Sequence, residues 1–328
     1  MLEIKKEMID EAVEKEKKNR TKAEKATVRA ALFLLIIIFL EVFLLAALFS
    51  VNITKTLPAA AIFIIADIVF FFAAVEVIMR IDTAEPPYPA VFSFYYAYMR
   101  KRFAARLDAA PTADEKFRLY EENHKKAVVK HRKILAAIEY IEFFTKTQAD
   151  KNNDLLDELY EEIANDKPKK ILLKFTRLQG LLGYFIFKED SAGYIRTFEE
   201  NSDTISKFWD FNFSSKINII IYFVQYFEFK NDFQNALEYY DLLVYLNEKA
   251  SEIDVSLALP EETVKTFSLD YAKIFCRLGR WEEAEKYFRE AEEMLADNNN
   301  PRIKKQMESV RKMLDEANIT QKESDTND

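Results

Sequence analysis

The hydrophobic pattern of the chain begins with two long apolar runs near the amino terminus. Residues 30–53 carry one ionisable side chain, Glu41, and residues 57–79 carry two, Asp67 and Glu76. At about 1.5 Å of rise per residue, a helix of either length crosses a hydrocarbon core roughly 30 Å thick. The short link around Thr54 therefore predicts a transmembrane helical hairpin over residues 30–81. Two buried helices of a soluble core are the alternative.

The basic residues predict how this hairpin is oriented. Nine lysines and arginines lie in residues 1–29, whereas the link carries only Lys55. Arg80 and a basic group at residues 100–102 follow the second run. Because loops rich in lysine and arginine stay in the cytoplasm, we expect an integral membrane protein with two spans and both termini cytoplasmic. Residues 1–29 would form a charged cytoplasmic helix.

Two acids near the middle of the runs are predicted to form an intramembrane polar pair. Glu41 and Asp67 are equally far along the chain from Thr54, so regular antiparallel helices place them at the same depth. Two adjacent carboxylates do not both ionise at low dielectric, and at least one should be protonated. The pair could be a structural lock, within the hairpin or between hairpins of a homo-oligomer. A proton or cation site, or pairing with a basic residue of another membrane protein, are the alternatives.

The segment at residues 82–111 combines prolines, aromatic rings and basic side chains. Prolines at positions 86, 87 and 89 exclude a regular helix there. Aromatic rings beside basic residues suit the headgroup layer of a bilayer. The predicted membrane-interface residues are Tyr95, Tyr96, Arg100, Lys101 and Arg102. The alternative is that the rings pack on the soluble domain.

Amphipathic helical patterns fill residues 112–316. Thr112 and Glu115 fit a capping box, and the helix that follows is predicted to continue to about Thr145. Both histidines, His124 and His131, lie on its apolar face. Seven residues of helical rise separate them by about 10 Å, too far to share a metal ion. Histidines satisfied within the core are the better interpretation.

The most specific pattern in the chain lies at residues 216–296, where two units each read as helix, tight turn, helix. Asn231 and Gly279 stand at the turns, and small residues, Ala236 and Ala284, follow them. This pattern resembles the tetratricopeptide repeat. The matching positions are Ala272, Phe275, Trp281, Ala284, Phe288 and Ala291 in the later unit, and Phe227, Phe233, Ala236 and Tyr240 in the earlier one. The earlier unit departs from the family at Val224 and Leu243, and the two units are spaced more widely than in the family.

The resemblance implies a helical solenoid that binds a protein or peptide. In the family, the first helix of each pair lines a concave groove. The lining positions that match here are Asn218, Ile221, Gln225, Glu228 and Phe229, then Thr266, Leu269, Lys273, Cys276 and Arg277. The candidate partner-binding residues are Asn218, Gln225, Glu228, Lys273 and Arg277. Pro301 is predicted to open a capping helix that ends near Glu316, with a disordered tail at residues 317–328.

Composition then narrows the function classes. Four glycines in 328 residues leave no glycine-rich phosphate loop, and the net charge of −8 argues against nucleic-acid binding. Cys276 is the single cysteine and has no histidine near it in sequence. We therefore predict no enzyme, no cofactor and no metal site.

Together these patterns predict an all-α protein with a transmembrane two-helix hairpin and a cytoplasmic tetratricopeptide-like solenoid. The predicted function is a membrane-anchored interaction scaffold or adaptor that binds a cytoplasmic protein or peptide partner. The alternative is a subunit of a membrane transport or channel complex that uses Glu41 and Asp67.

Overall fold

The computed structural model describes residues 3–51, 101–127, 130–147, 153–169, 171–298 and 300–325. Every regular element in these ranges is a helix and none is a strand, which confirms the all-α prediction. The chain divides into two compact units. One contains residues 1–10 and 110–328, and the other contains residues 11–109.

Helix α1, Lys6–Val51, joins the predicted charged helix to the first apolar run without a break. No glycine or proline interrupts these residues, so nothing in the backbone ends the helix between them. Glu41 lies on α1. Residues 101–109 are also helical, and Lys101 and Arg102 are exposed there.

Several predicted features of the membrane region fall outside the described residues. They are the second apolar run, Asp67, Tyr95, Tyr96 and Arg100. In the part of the chain that is described, we found no helix long and apolar enough to cross a membrane. The hairpin and the pairing of Glu41 with Asp67 therefore lack structural support and stay predictions.

Ten further helices of ten or more residues form the unit at residues 110–328. They are α2 (Ala113–Lys125), α3 (Lys130–Thr147), α4 (Asn153–Ala164), α5 (Ile171–Phe187), α6 (Ser191–Glu200), α7 (Phe213–Phe229), α8 (Phe233–Ile253), α9 (Phe267–Arg277), α10 (Trp281–Met294) and α11 (Pro301–Asp325). Consecutive helices pack on one another, and α3 also packs on α5. Helix α11 starts at Pro301 as predicted but runs to Asp325, beyond the predicted end near Glu316.

The predicted long helix from Thr112 to Thr145 is wrong, because the chain forms two helices there. The cap at Thr112 is confirmed, since its hydroxyl accepts a hydrogen bond from the Glu115 amide at 3.2 Å. Helix α2 then ends at Lys125, and α3 returns beside it. Phe117 contacts Phe143 and Phe144, with ring centroids 4.6 and 4.7 Å apart. Folding the segment back on itself buries these rings, which a single straight helix would leave apart.

The break also corrects the placement of the two histidines, which lie on different helices. His124 lies in the last turn of α2, and its Nε2 is 2.9 Å from a Glu162 carboxylate oxygen. Lys133 reaches the other oxygen of Glu162 at 3.0 Å. His124 therefore joins a polar cluster at the edge of the core. His131 lies on α3, and its side chain is not among those described.

The amino-terminal residues are part of this helical unit, which the sequence pattern did not reveal. The Ile4 amide donates to the Tyr239 hydroxyl at 3.3 Å. The Tyr245 hydroxyl donates to Asp10 at 2.6 Å. Ile4 and Ile9 are buried. The start of the chain is thus attached to α8 rather than forming a separate charged segment.

The core around α3, α4 and α5 is packed tightly enough to require a glycine. A Cβ atom added at Gly180 would lie 2.6 Å from Ile138 Cγ1 and 3.1 Å from Ile163 Cδ1. At Gly183, one turn along α5, the nearest atom would be Ile141 Cγ2 at an ordinary 3.6 Å. Gly180 therefore sets how closely α5 approaches its neighbours.

We expect Gly180→Ala to lower the free energy of unfolding by about 1–3 kcal/mol, because the added methyl group overpacks the core. Gly183→Ala is the matched control in the same helix. It should be neutral or stabilising by up to about 1 kcal/mol, since alanine favours helix and has room here. Urea unfolding of the full chain, followed by circular dichroism, measures both. Equal stability of the two variants would contradict this account of the packing.

Candidate functional site

The two repeat-like units form helical hairpins with the predicted turns. Asn231 and Gly279 adopt positive φ angles of 57° and 69°, as expected for residues that end a helix in the left-handed conformation. Asp232 then caps α8 by accepting a hydrogen bond from the Asn235 amide at 3.3 Å. These local features explain why α7 and α8, and then α9 and α10, lie side by side.

The small residues of the pattern lie where the two helices of each pair meet. Ala236, Ala272, Ala284 and Ala291 are fully buried. The second helix of the first pair packs on the first helix of the next, with the rings of Tyr240 and Tyr271 4.8 Å apart. Tyr271 also donates to Asp241 at 2.7 Å. The two hairpins therefore stack in chain order.

Two of the predicted groove residues meet across this stack. Glu228, at the end of α7, forms an ion pair with Lys273 of α9 at 2.8 Å. Their side chains are 20% and 34% exposed, so the pair is only half-buried. This ion pair links the first helices of the two units. The structure brings these two residues together although 45 positions separate them in sequence.

The remaining predicted groove residues are spread along the same two helices. Gln225 accepts a hydrogen bond from the Tyr194 hydroxyl at 3.3 Å. Arg277 is exposed and lies over the Phe233 ring, 5.9 Å from its centroid. Asn218 is partly exposed on α7. Leu269 and Cys276, by contrast, are only 0% and 4% exposed, so they belong to the core and do not line a groove.

A carboxylate that sequence reasoning missed lies beside this ion pair. Asp270 accepts hydrogen bonds from the Tyr240 hydroxyl at 3.0 Å and from Gln306 Nε2 at 2.7 Å. Burial raises the pKa of Asp270, while Lys273 and these two donors oppose the rise. We call the group of Gln225, Glu228, Asp270, Lys273 and Gln306 the polar seam. It joins α7, α9 and α11.

Part of the polar seam was readable in the sequence and part was not. Asp270 precedes Lys273 by three residues, so both had to share one face of α9. Gln306 belongs to the last helix, and no local spacing relates it to Asp270. Hydrogen bonds across the seam satisfy most of its polar groups, and Glu228 and Lys273 stay accessible from one side.

The described residues offer little nucleophilic or metal-binding chemistry. Burial raises the pKa of the Cys276 thiol to about 11, with Arg277 opposing the rise, so the thiol is protonated at neutral pH. Among the described residues, no group of three or more histidine, cysteine or acidic side chains is arranged to hold a metal ion.

Comparison with family models, curated proteins and solved structures yields no match to this chain. The likeness to the tetratricopeptide repeat therefore rests on the residues and geometry of the two hairpins alone, and it stays a prediction.

We expect Asp270→Asn to become more stabilising, relative to the parent chain, as the pH rises above 3.8, the ordinary pKa of aspartate. Because burial raises its pKa in the folded state, the folded protein holds this proton more tightly than the unfolded chain. The parent protein therefore loses stability as the pH rises from the unfolded-state pKa of Asp270 to its folded-state pKa. The asparagine variant has no proton to lose at this position, so it does not share this loss. Unfolding free energies of both proteins between pH 3 and pH 7 test this. Parallel profiles would contradict it.

Proposed function

We propose that the protein is a membrane-anchored adaptor, in which the polar seam and the adjacent Arg277 bind a segment of a cytoplasmic protein partner. The observation that carries this proposal is the ion pair of Glu228 with Lys273. It lies between the first helices of two stacked hairpins and stays accessible. In a tetratricopeptide-like array, this is the face on which a peptide would lie.

The composition of this surface favours recognition over catalysis. It presents a cation, a carboxylate and amide groups in fixed positions, held by hydrogen bonds from the tyrosines behind them. Such fixed donors and acceptors select a partner by matching its polar groups, since an unmatched buried group is costly. Arg277 adds an exposed guanidinium at the edge of the seam.

The membrane part of the proposal rests on the apolar end of α1. Several large apolar side chains on this part of the helix are exposed. They are Leu32, Ile36, Phe39, Leu40, Val42 and Phe43. A contiguous apolar surface of this kind is unfavourable in water and typical of membrane or protein contacts. Together with the apolar run at residues 57–79, it supports anchoring of the chain in lipid.

A charge-swap experiment tests the role of the polar seam. The double variant Glu228→Lys with Lys273→Glu restores an ion pair in the reverse sense, so the hairpins should stay stacked. Mild crosslinking in native membranes, followed by mass spectrometry, would identify the proteins that the parent chain captures. We expect the double variant to capture at least five-fold less of the same proteins than the parent chain does, because the charges that face the partner are reversed.

The matched control is the swap Glu285→Arg with Arg289→Glu. These residues form an exposed ion pair at 2.5 Å on α10, away from the seam. The control should capture the same proteins as the parent. If the two swaps behave alike, or if the seam swap captures its partners normally, the seam is a structural contact and the proposal is wrong.

A further inference from the structure

A cavity of about 490 Å³ opens on α2, α3 and α4, on helices other than those of the polar seam. Its described lining residues are Asp114, Phe117, Arg118, Glu121, Tyr140, Phe144, Asp154, Leu155 and Glu158. The volume is in the range of pockets that bind small ligands or single side chains. The lining divides into an aromatic floor and a charged rim.

The floor consists of Phe117, Tyr140 and Phe144, which are buried against one another. The rings of Tyr140 and Phe144 lie 5.1 Å apart. Tyr140 is only 3% exposed, yet among the described residues its hydroxyl has no hydrogen-bond partner. The hydroxyl oxygen itself is not among the fully buried, unpaired polar atoms of the described residues, so it is open to the cavity. The negative charge of Glu121, another cavity residue, acts on this hydroxyl and helps burial to raise the pKa of Tyr140 to about 12. The unpaired group therefore lies near the acidic side of the cavity.

The rim carries four carboxylates and one guanidinium. Glu121 is paired with Lys125, whereas Asp154 and Glu158 form no ion pair with other described residues. Asp154 and Glu158 are one helical turn apart on α4, so both lie on the face of the helix that lines the cavity. No three acidic groups of the described residues are close enough to hold a metal ion. The charge is thus spread around the opening, which suits an extended organic cation.

We propose that this cavity binds an arginine side chain of a partner peptide, with the guanidinium stacked on the aromatic floor. The planar cation is attracted by the faces of aromatic rings. Its N–H groups would donate to Asp154, to Glu158 and to the free Tyr140 hydroxyl oxygen. A guanidinium fits this arrangement better than an ammonium group, because it pairs with carboxylates and stacks at the same time. The inference concerns a different surface from the polar seam and does not rest on the proposed function.

The direct test uses three fluorescently labelled, capped nonapeptides of identical sequence with three arginines, three lysines or three citrullines. Citrulline has nearly the shape of arginine but no charge. Anisotropy titrations with the full-length protein measure the dissociation constants. We expect the arginine peptide to bind at least ten-fold more tightly than the citrulline peptide and more tightly than the lysine peptide. Equal binding of arginine and citrulline, or of arginine and lysine, would overturn the assignment.

Variants of the cavity residues distinguish binding at this site from non-specific attraction of a cationic peptide to an acidic protein. Tyr140→Phe removes only the hydroxyl, and Glu158→Gln removes one exposed charge. Each should weaken binding of the arginine peptide by about three- to ten-fold, as expected for the loss of one typical hydrogen bond. Glu161→Gln makes the same change of charge on α4 at a residue outside the cavity lining and should leave binding unchanged.

Equal weakening by Glu161→Gln and Glu158→Gln would show that only net charge matters and would refute the site. Unfolding midpoints of all variants establish that the fold is retained, and Glu158→Gln, at an exposed position, remains informative if Tyr140→Phe is unstable. The charge swap at Glu228 and Lys273 should leave peptide binding at this cavity unaltered. Failure of the cavity proposal and failure of the adaptor proposal are therefore distinguishable.

Discussion

Each helix of the larger unit can bury its apolar stripe only against its neighbours. The described residues contain no strand, so no sheet offers a common surface on which helices could pack. Burial of aromatic and aliphatic side chains between consecutive helices must supply the stabilisation that offsets chain entropy. The chain is rich in phenylalanine and tyrosine, and their rings meet at many of the helix contacts, as with Phe198 on Phe223 and Tyr240 on Tyr271. The rest of the architecture depends on this side-by-side burial.

The tyrosines link the packing of helices to the polar surface. Their rings fill the spaces between helices, while their hydroxyl groups reach polar residues at the edge. Tyr240 donates to Asp270 and Tyr194 to Gln225, so the same residues that hold α7 and α9 in place also orient the polar seam. A polar surface built in this way is rigid, because moving its polar groups would disturb the core behind them. Rigid placement reduces the entropy lost on binding a partner.

Aromatic rings packed between helices also form the floor of the cavity on α2, α3 and α4. The break after Lys125 turns α3 back beside α2 and brings Phe117 onto Phe143 and Phe144. The rings cover most of one another, and the Tyr140 hydroxyl has no hydrogen-bond partner among the residues that the structure describes. Tyr184, in contrast, donates to Asp157 at 2.7 Å. The two tyrosines therefore differ in whether their hydroxyl group is paired within the described part of the chain or open to the cavity.

Local sequence patterns determined much of the secondary structure and little of its assembly. The cap at Thr112, the positive φ angles at Asn231 and Gly279, and the start of α11 at Pro301 depend on short-range sterics and hydrogen bonds, so the sequence predicted them. The pattern failed at Lys125, where neither glycine nor proline marks the turn, because the gain from burying aromatic rings outweighs helix propensity. Attachment of Ile4 to Tyr239 and of Gln306 to Asp270 joins segments remote in sequence. Only the tertiary structure decided these contacts, since they depend on which helix faces become neighbours, and that is a property of the packed chain as a whole.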